Sequence, residues 1–198
     1  MIGINPGWLS VRKDLFLLLA SSILIFSMFG CSYIPLLNNT EDAPPEEGYW
    51  PGKVLEMYTG LMEVTPSIAF RDENGETRVL TPSSSKNALV AINMTFVNRN
   101  TVVVPMLVNE NSVEIGNPYD ERFRPIDPFE NAMYADVPEE DLSHIKPFLW
   151  GSMDLVRDFQ IEGYLIFEIP QGMPITTLWW EEVDSIVALL YLKPDPVE

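Results

Sequence analysis

Apolar and polar residues alternate with a period of two along much of this chain. In residues 88–98, Val90, Ile92, Met94 and Phe96 fall on one face and Asn93 and Thr95 on the other, the pattern of a half-buried strand. Residues 163–170 repeat it, with Leu165, Phe167 and Ile169 facing one way and Tyr164 and Glu168 the other. Residues 67–71 and 77–81 flank Asp72-Glu73-Asn74-Gly75-Glu76, where an Asn-Gly pair supplies the positive φ angles of a tight hairpin. Strands are also expected over 101–107, 153–159, 176–180 and 185–192. Pro105 cannot donate to a ladder, so its strand should be an edge or contain a bulge. The run 185–192 is apolar on both faces and is expected to be a central strand. Turn signals separate about eight to ten short strands at sandwich-like spacing.

One helix is expected to interrupt this pattern. Asp136 and Glu139 form a D-x-x-E start, acids fill the first turn, Lys146 sits near the end and Pro147 stops it after about two turns. Before it, residues 116–135 carry Pro118, Pro125 and Pro128. Connections longer than about 12–15 residues are usually functional or mobile, so this segment is the first place to look for recognition.

The start of the chain reads as an address. Arg12 and Lys13 precede an uncharged run from Leu15 to Phe29, which ends at Gly30 and the sole cysteine, Cys31. A charged n-region, an apolar h-region and a small residue at the cut make a signal peptide over 1–30. The run is shorter than the roughly 20 residues a spanning helix needs. Cys31 is then the expected site of lipid attachment, with thioether-linked diacyl chains anchoring the exported protein at about 0.8 kcal/mol per buried methylene. Residues 31–49 form an acidic, proline-rich linker, extended toward polyproline II at about 3.1 Å per residue. The domain follows over 50–193 and a short tail over 194–198.

Composition narrows the function. The 198 residues hold 12 basic and 29 acidic side chains, for a net charge of −17, which repels phosphate polyanions and excludes nucleic acid as a partner. Without Arg12, Lys13 and Asp14 the exported part keeps 28 acids and 10 bases. Anionic headgroups repel such a surface, so the domain should stand off the bilayer on its tether. One cysteine and one histidine exclude an intrachain disulfide and the common His/Cys zinc sites.

The order of Gly30-Cys31, acidic tether, a strand closing on Phe96-Val97-Asn98, and a late Gly163-x-Leu165-x-Phe167-x-x-Pro170 resembles a family of secreted prokaryotic lipoproteins of unknown function. Met28 and Phe29 depart from that family's lipobox, which carries Leu and a small residue there, and the helical insert with the long 116–150 segment is a second departure. The resemblance spans about residues 50–192. It implies an immunoglobulin-like antiparallel β-sandwich, here with one short helix, and no catalytic residues.

The residues themselves point the same way on chemistry. His144 is the one neutral-pH base, and a triad would need Ser143 or Ser152 beside it; no G-x-S-x-G elbow is present. A charge at the helix C-terminus explains His144 more simply. Asp72, Asn74 and Glu76 alternate as in a calcium loop, but Ser83 stands where the twelfth-position Glu is required, leaving a solvated turn. The clusters Glu139-Glu140-Asp141 and Glu181-Glu182-Asp184 lack ligand spacing, and with 28 acids a glycosidase-like pair carries no signal. Trp50, Trp150, Trp179 and Trp180 are candidates for a sugar-stacking or protein-binding platform, and neighbours in a strand face oppositely, so one of Trp179 and Trp180 should point outward. Asn38-Asn39-Thr40 and Asn93-Met94-Thr95 are N-x-T sequons.

No catalytic, cofactor or metal residue is therefore expected. The expected function is a non-enzymatic ligand- or protein-binding module, lipid-anchored through Cys31 at the outer face of the cell membrane. Its alternatives are a structural subunit of a membrane-associated envelope complex, packed through Trp150 and residues 116–150, and a secreted hydrolase.

Overall fold

The structure, a computed structural model, describes residues 48–192. The expected leader, most of the linker, the tail and Cys31 lie outside the described residues. Within them the chain is all-β, with thirteen strands in antiparallel sheets.

One sheet has the order β1 (Gly48–Pro51), β2 (Leu55–Thr65), β5 (Asn87–Asn98), β11 (Gln160–Pro170). A second has the order β13 (Ile186–Leu192), β12 (Ile175–Trp180), β7 (Val113–Gly116), β8 (Arg122–Phe123). β6 (Val103–Val108) pairs with β10 (Gly151–Val156), and β4 (Thr77–Leu80) lies between β3 (Ile68–Arg71) and β9 (Met133–Tyr134).

The period-two alternation decides what packs where. Val90, Ile92, Met94 and Phe96 of β5 and Leu165, Phe167 and Ile169 of β11 join Leu178, Trp180, Ala188 and Leu190 of the second sheet in one buried cluster. Phe96 and Trp180 meet in it with ring centroids 4.3 Å apart. β5 also buries part of its other face: Leu89 and Ala91 pack with Ile68, Phe70, Leu80, Ile145 and Ile166 in a second cluster beneath β3 and β4. Past Ala91 that face turns polar at Asn93 and Thr95, and the cover stops.

Three expectations need correction. The helix over 136–146 is a single 3-10 turn, Glu139–Asp141, with Pro138 at its start, no side-chain cap, and Leu142 already extended. Two turns do not recover the cost of nucleating a helix unless tertiary contacts help, and here those contacts pull the other way. The Ser143 amide donates to the Ala69 carbonyl at 2.8 Å and Ile145 is buried in the second cluster, so the chain is drawn out along the sheet.

The closing strand is not central. β13 forms one end of its sheet, with Val187, Leu189 and Tyr191 exposed at 51%, 68% and 49%. An apolar run identifies a strand but not how many of its faces are covered.

The 68–80 hairpin forms, but only Gly75 has positive φ (79°). The Gly75 amide donates to the Asp72 carbonyl at 3.0 Å and the Asp72 amide to the Glu76 carbonyl at 2.9 Å, a three-residue loop ending in a left-handed glycine. Pro105 lies as expected in a two-stranded sheet, opposite Asp154.

Candidate functional site

Where the second cluster ends, the outer face of the first sheet is open. Register brings Tyr58 of β2, Thr95 of β5 and Glu162 of β11 into one row, with Tyr49 of β1 beyond Tyr58. Asn93 stands two residues along on the same face as Thr95, and Gln160 lies opposite Val97. Tyr58, Asn93, Thr95, Arg99, Gln160 and Glu162 line a shallow groove of about 260 Å³, which Tyr49 does not reach.

A break in β2 makes the space. Between Thr59 and Met62 the pairing with β5 slips, so Gly60 and Leu61 form a bulge. A Cβ on Gly60 would sit 2.8 Å from Asn93 Oδ1, so a side chain there would collide with the groove floor. Leu61, the other bulge residue, is exposed.

The groove is polar and its charges are balanced locally. Asn93 Nδ2 donates to Glu162 Oε1 at 3.3 Å. The Tyr58 hydroxyl donates to Glu56 Oε2 at 3.2 Å, and Arg99 Nε donates to the same oxygen at 3.4 Å. Loss of solvent around Tyr58, then the neighbouring Glu56 charge and hydrogen bond, push its phenol above the usual tyrosine range, so it remains protonated at neutral pH. Tyr49 and Tyr58 rings lie 5.0 Å apart at a tilt of 39°, so the lining Tyr58 has an aromatic neighbour outside the groove.

The residues singled out from sequence are dispersed. His144 is exposed, with Nε2 2.8 Å from Glu63 Oε1, so a hydrogen bond on the sheet surface stands where a helix-terminus position was expected. Ser143 Oγ accepts the Ile145 amide at 3.1 Å, and Ser152 sits in β10 opposite Leu107. Asp72 spends its carboxylate on its own turn: Oδ1 accepts the amides of Asn74 (2.9 Å) and Glu76 (3.0 Å), and Oδ2 accepts Arg78 Nε at 2.9 Å. These hydrogen bonds outweigh burial and hold the Asp72 carboxyl below its usual range.

The cluster Glu181-Glu182-Asp184 ties elements together. Asp184 Oδ2 accepts the Val54 and Leu55 amides, Oδ1 accepts that of Lys53, and Glu182 Oε1 accepts the Leu107 amide at 2.9 Å. Glu139-Glu140-Asp141 is solvent-exposed, with Glu139 4.0 Å from Arg71. Among the described residues no group of three His, Cys, Asp or Glu is placed to hold a metal ion.

Trp179 and Trp180 do face oppositely. Trp180 is fully buried, while the half-buried Trp179 carries the Arg122 guanidinium 4.0 Å from its ring centroid, which covers the face a ligand would stack on. Trp50 is half-buried, with Nε1 donating to Thr59 Oγ1 at 3.3 Å.

The 116–150 segment contributes none of the groove lining. It packs Ile126, Ala132, Ile145 and Phe148 on the second cluster, and the Ile126 amide donates to the Ile166 carbonyl at 2.8 Å. Sequence reasoning missed Tyr58, Gly60, Gln160 and Glu162. The available signal was the change on one face of β5 from Leu89 and Ala91 to Asn93 and Thr95.

No protein-family model matches this chain, and no curated protein matches it. Among solved structures it is similar to the crystal structure of a candidate lipoprotein, YcdA, from Bacillus subtilis, with a TM-score of 0.46 and 15% identity. The match covers 75% of this chain and 38% of that one.

Proposed function

We propose that this protein is an exported lipoprotein, held by lipid on Cys31 at the outer face of the cell membrane, and that its immunoglobulin-like β-sandwich is a non-enzymatic binding module of the cell envelope. The observation that carries the reading is the uncharged run Leu15–Phe29 behind Arg12 and Lys13, ending on Gly30-Cys31. Two sheets facing across a shared core support the sandwich. The open groove supports binding, and the pairing of His144 with Glu63 rather than with a nucleophile supports a non-enzymatic role. The net charge of −17 argues against nucleic acid as a partner.

Membrane fractionation tests this. Cys31→Ser is expected to release the protein from membranes or leave its precursor uncut; unchanged processing and retention would contradict the reading. A broad hydrolase screen of the full chain is expected to give nothing, and activity lost in His144→Ala would reverse the non-enzymatic assignment.

A second reading, a subunit of an envelope complex, draws on the exposed Val187, Leu189 and Tyr191 of the end strand β13. A stoichiometric partner cross-linked in intact cells through that strand would favour it, and a lone monomer would count against it.

A further inference from the structure

Tyr58, Thr95 and Glu162 form one row across three strands, Asn93 and Gln160 flank it, and the missing side chain of Gly60 leaves the floor open. We propose that this groove binds a neutral saccharide, with a sugar ring against Tyr58 and its hydroxyls on Asn93, Thr95, Gln160 and Glu162. The inference rests on the reading of the domain as a binding module and assigns the ligand class of its site.

The lining rejects the other ligand classes. An apolar ligand would strip water from the Asn93 amide, the Thr95 hydroxyl and the Glu162 carboxylate without replacing it, at the desolvation cost of each. An anion meets Glu162, while the lining cation Arg99 already has Glu56 at 3.4 Å and Asp158 at 4.0 Å, in a chain of net charge −17. A metal cation wants several oxygen ligands, and Glu162 is the one carboxylate in the groove lining.

A neutral sugar suits what remains. Each hydroxyl donates and accepts, which matches planar amides and a carboxylate side by side. Its apolar C–H face needs an aromatic surface, and Tyr58, braced by Tyr49 at 5.0 Å, provides one. At about 260 Å³ the groove lies just below the roughly 300 Å³ at which pockets begin to enclose a drug-sized ligand. It has room for one ring, with the rest of the glycan running out over the open sheet.

The test titrates the full-length protein, in a zwitterionic detergent without a sugar headgroup, with maltohexaose, mannohexaose and chitohexaose, and with oligogalacturonate as the anionic control. At least one neutral probe is expected to bind, with affinity lowered roughly tenfold by Tyr58→Ala and by Gly60→Leu but kept within about threefold in Tyr58→Phe, which retains the ring. Should Gly60→Leu fail to fold, the two Tyr58 variants carry the comparison. Absence of binding to every neutral probe, preference for the anionic one, or affinity unchanged in Tyr58→Ala would overturn the proposal. Fractionation of Cys31→Ser separates this from the parent reading: Cys31-dependent anchoring without saccharide binding removes the ligand class alone, whereas Cys31-independent retention removes the lipoprotein.

Discussion

The Asp184 carboxylate accepts the Leu55 amide at 2.7 Å, joining the turn that enters β13 to the first residue of β2. Two further amides, Lys53 at 3.1 Å and Val54 at 2.8 Å, converge on the same buried carboxylate. One side chain therefore satisfies three consecutive donors and fastens the two main sheets at one end. Its turn carries Val183 at a φ of 66°, a conformation β-branched residues rarely adopt. The structure tolerates that strain where charge-assisted hydrogen bonds repay it. Asp184→Ala is expected to cost about 3 kcal/mol, which in a domain of this size lowers the melting temperature by roughly 6–12 °C. Calorimetry checks it, and a shift under about 1 °C would show that the clamp contributes little.

The two adjacent tryptophans should separate sharply. Trp180→Ala removes a fully buried ring packed on Phe96 and is expected to cost about 3–5 kcal/mol. Trp179→Ala gives up a half-exposed ring and an Arg122 cation–π contact and should cost about 1 kcal/mol or less. Urea denaturation of both variants measures the difference.

Acid sensitivity follows from two carboxylates. Burial raises the pKa of Glu168, but hydrogen bonds from the Asn87 amide, the Ser83 hydroxyl and the Ser83 and Ser84 backbone outweigh it, leaving the group below its ordinary 4.5. The Arg122 hydrogen bond does the same for Glu114 against the cost of burial, with Arg124 assisting. A carboxylate whose folded pKa is depressed stabilises the fold above its unfolded value, and loses that contribution as pH falls through the folded value. The melting-temperature gap between wild type and Glu168→Gln should therefore be constant above about pH 5 and narrow steadily below about pH 4.5. A gap that widens on acidification would contradict this.

What could be read from the sequence was what depends on local alternation. β5 and β11 are recognisable because each buries one face over many residues, so Val90 to Phe96 and Leu165 to Ile169 announce themselves. The hairpin around Gly75 is legible because its turn chemistry is local. The 3-10 turn reads as a helix in the sequence because Asp136, Glu139 and Lys146 satisfy helix grammar, while the competing Ser143–Ala69 hydrogen bond joins residues distant in sequence. For the groove, the sequence carries only the change on one face of β5 from Leu89 and Ala91 to Asn93 and Thr95. Tyr58, Asn93 and Glu162 meet only through strand register, and the space between them depends on a slip at Gly60 that no local pattern marks. The acidic Glu181–Asp184 run shows no more in the sequence than a cluster without ligand spacing, yet Asp184 is a buried connector whose partners lie some 130 residues upstream.

The most direct test of the account is mass spectrometry of the protein extracted from its native membrane. The account predicts a mature chain beginning at Cys31 and carrying the mass of a thioether-linked diacylglycerol. A free thiol at Cys31 behind an intact Leu15–Phe29 leader would contradict it.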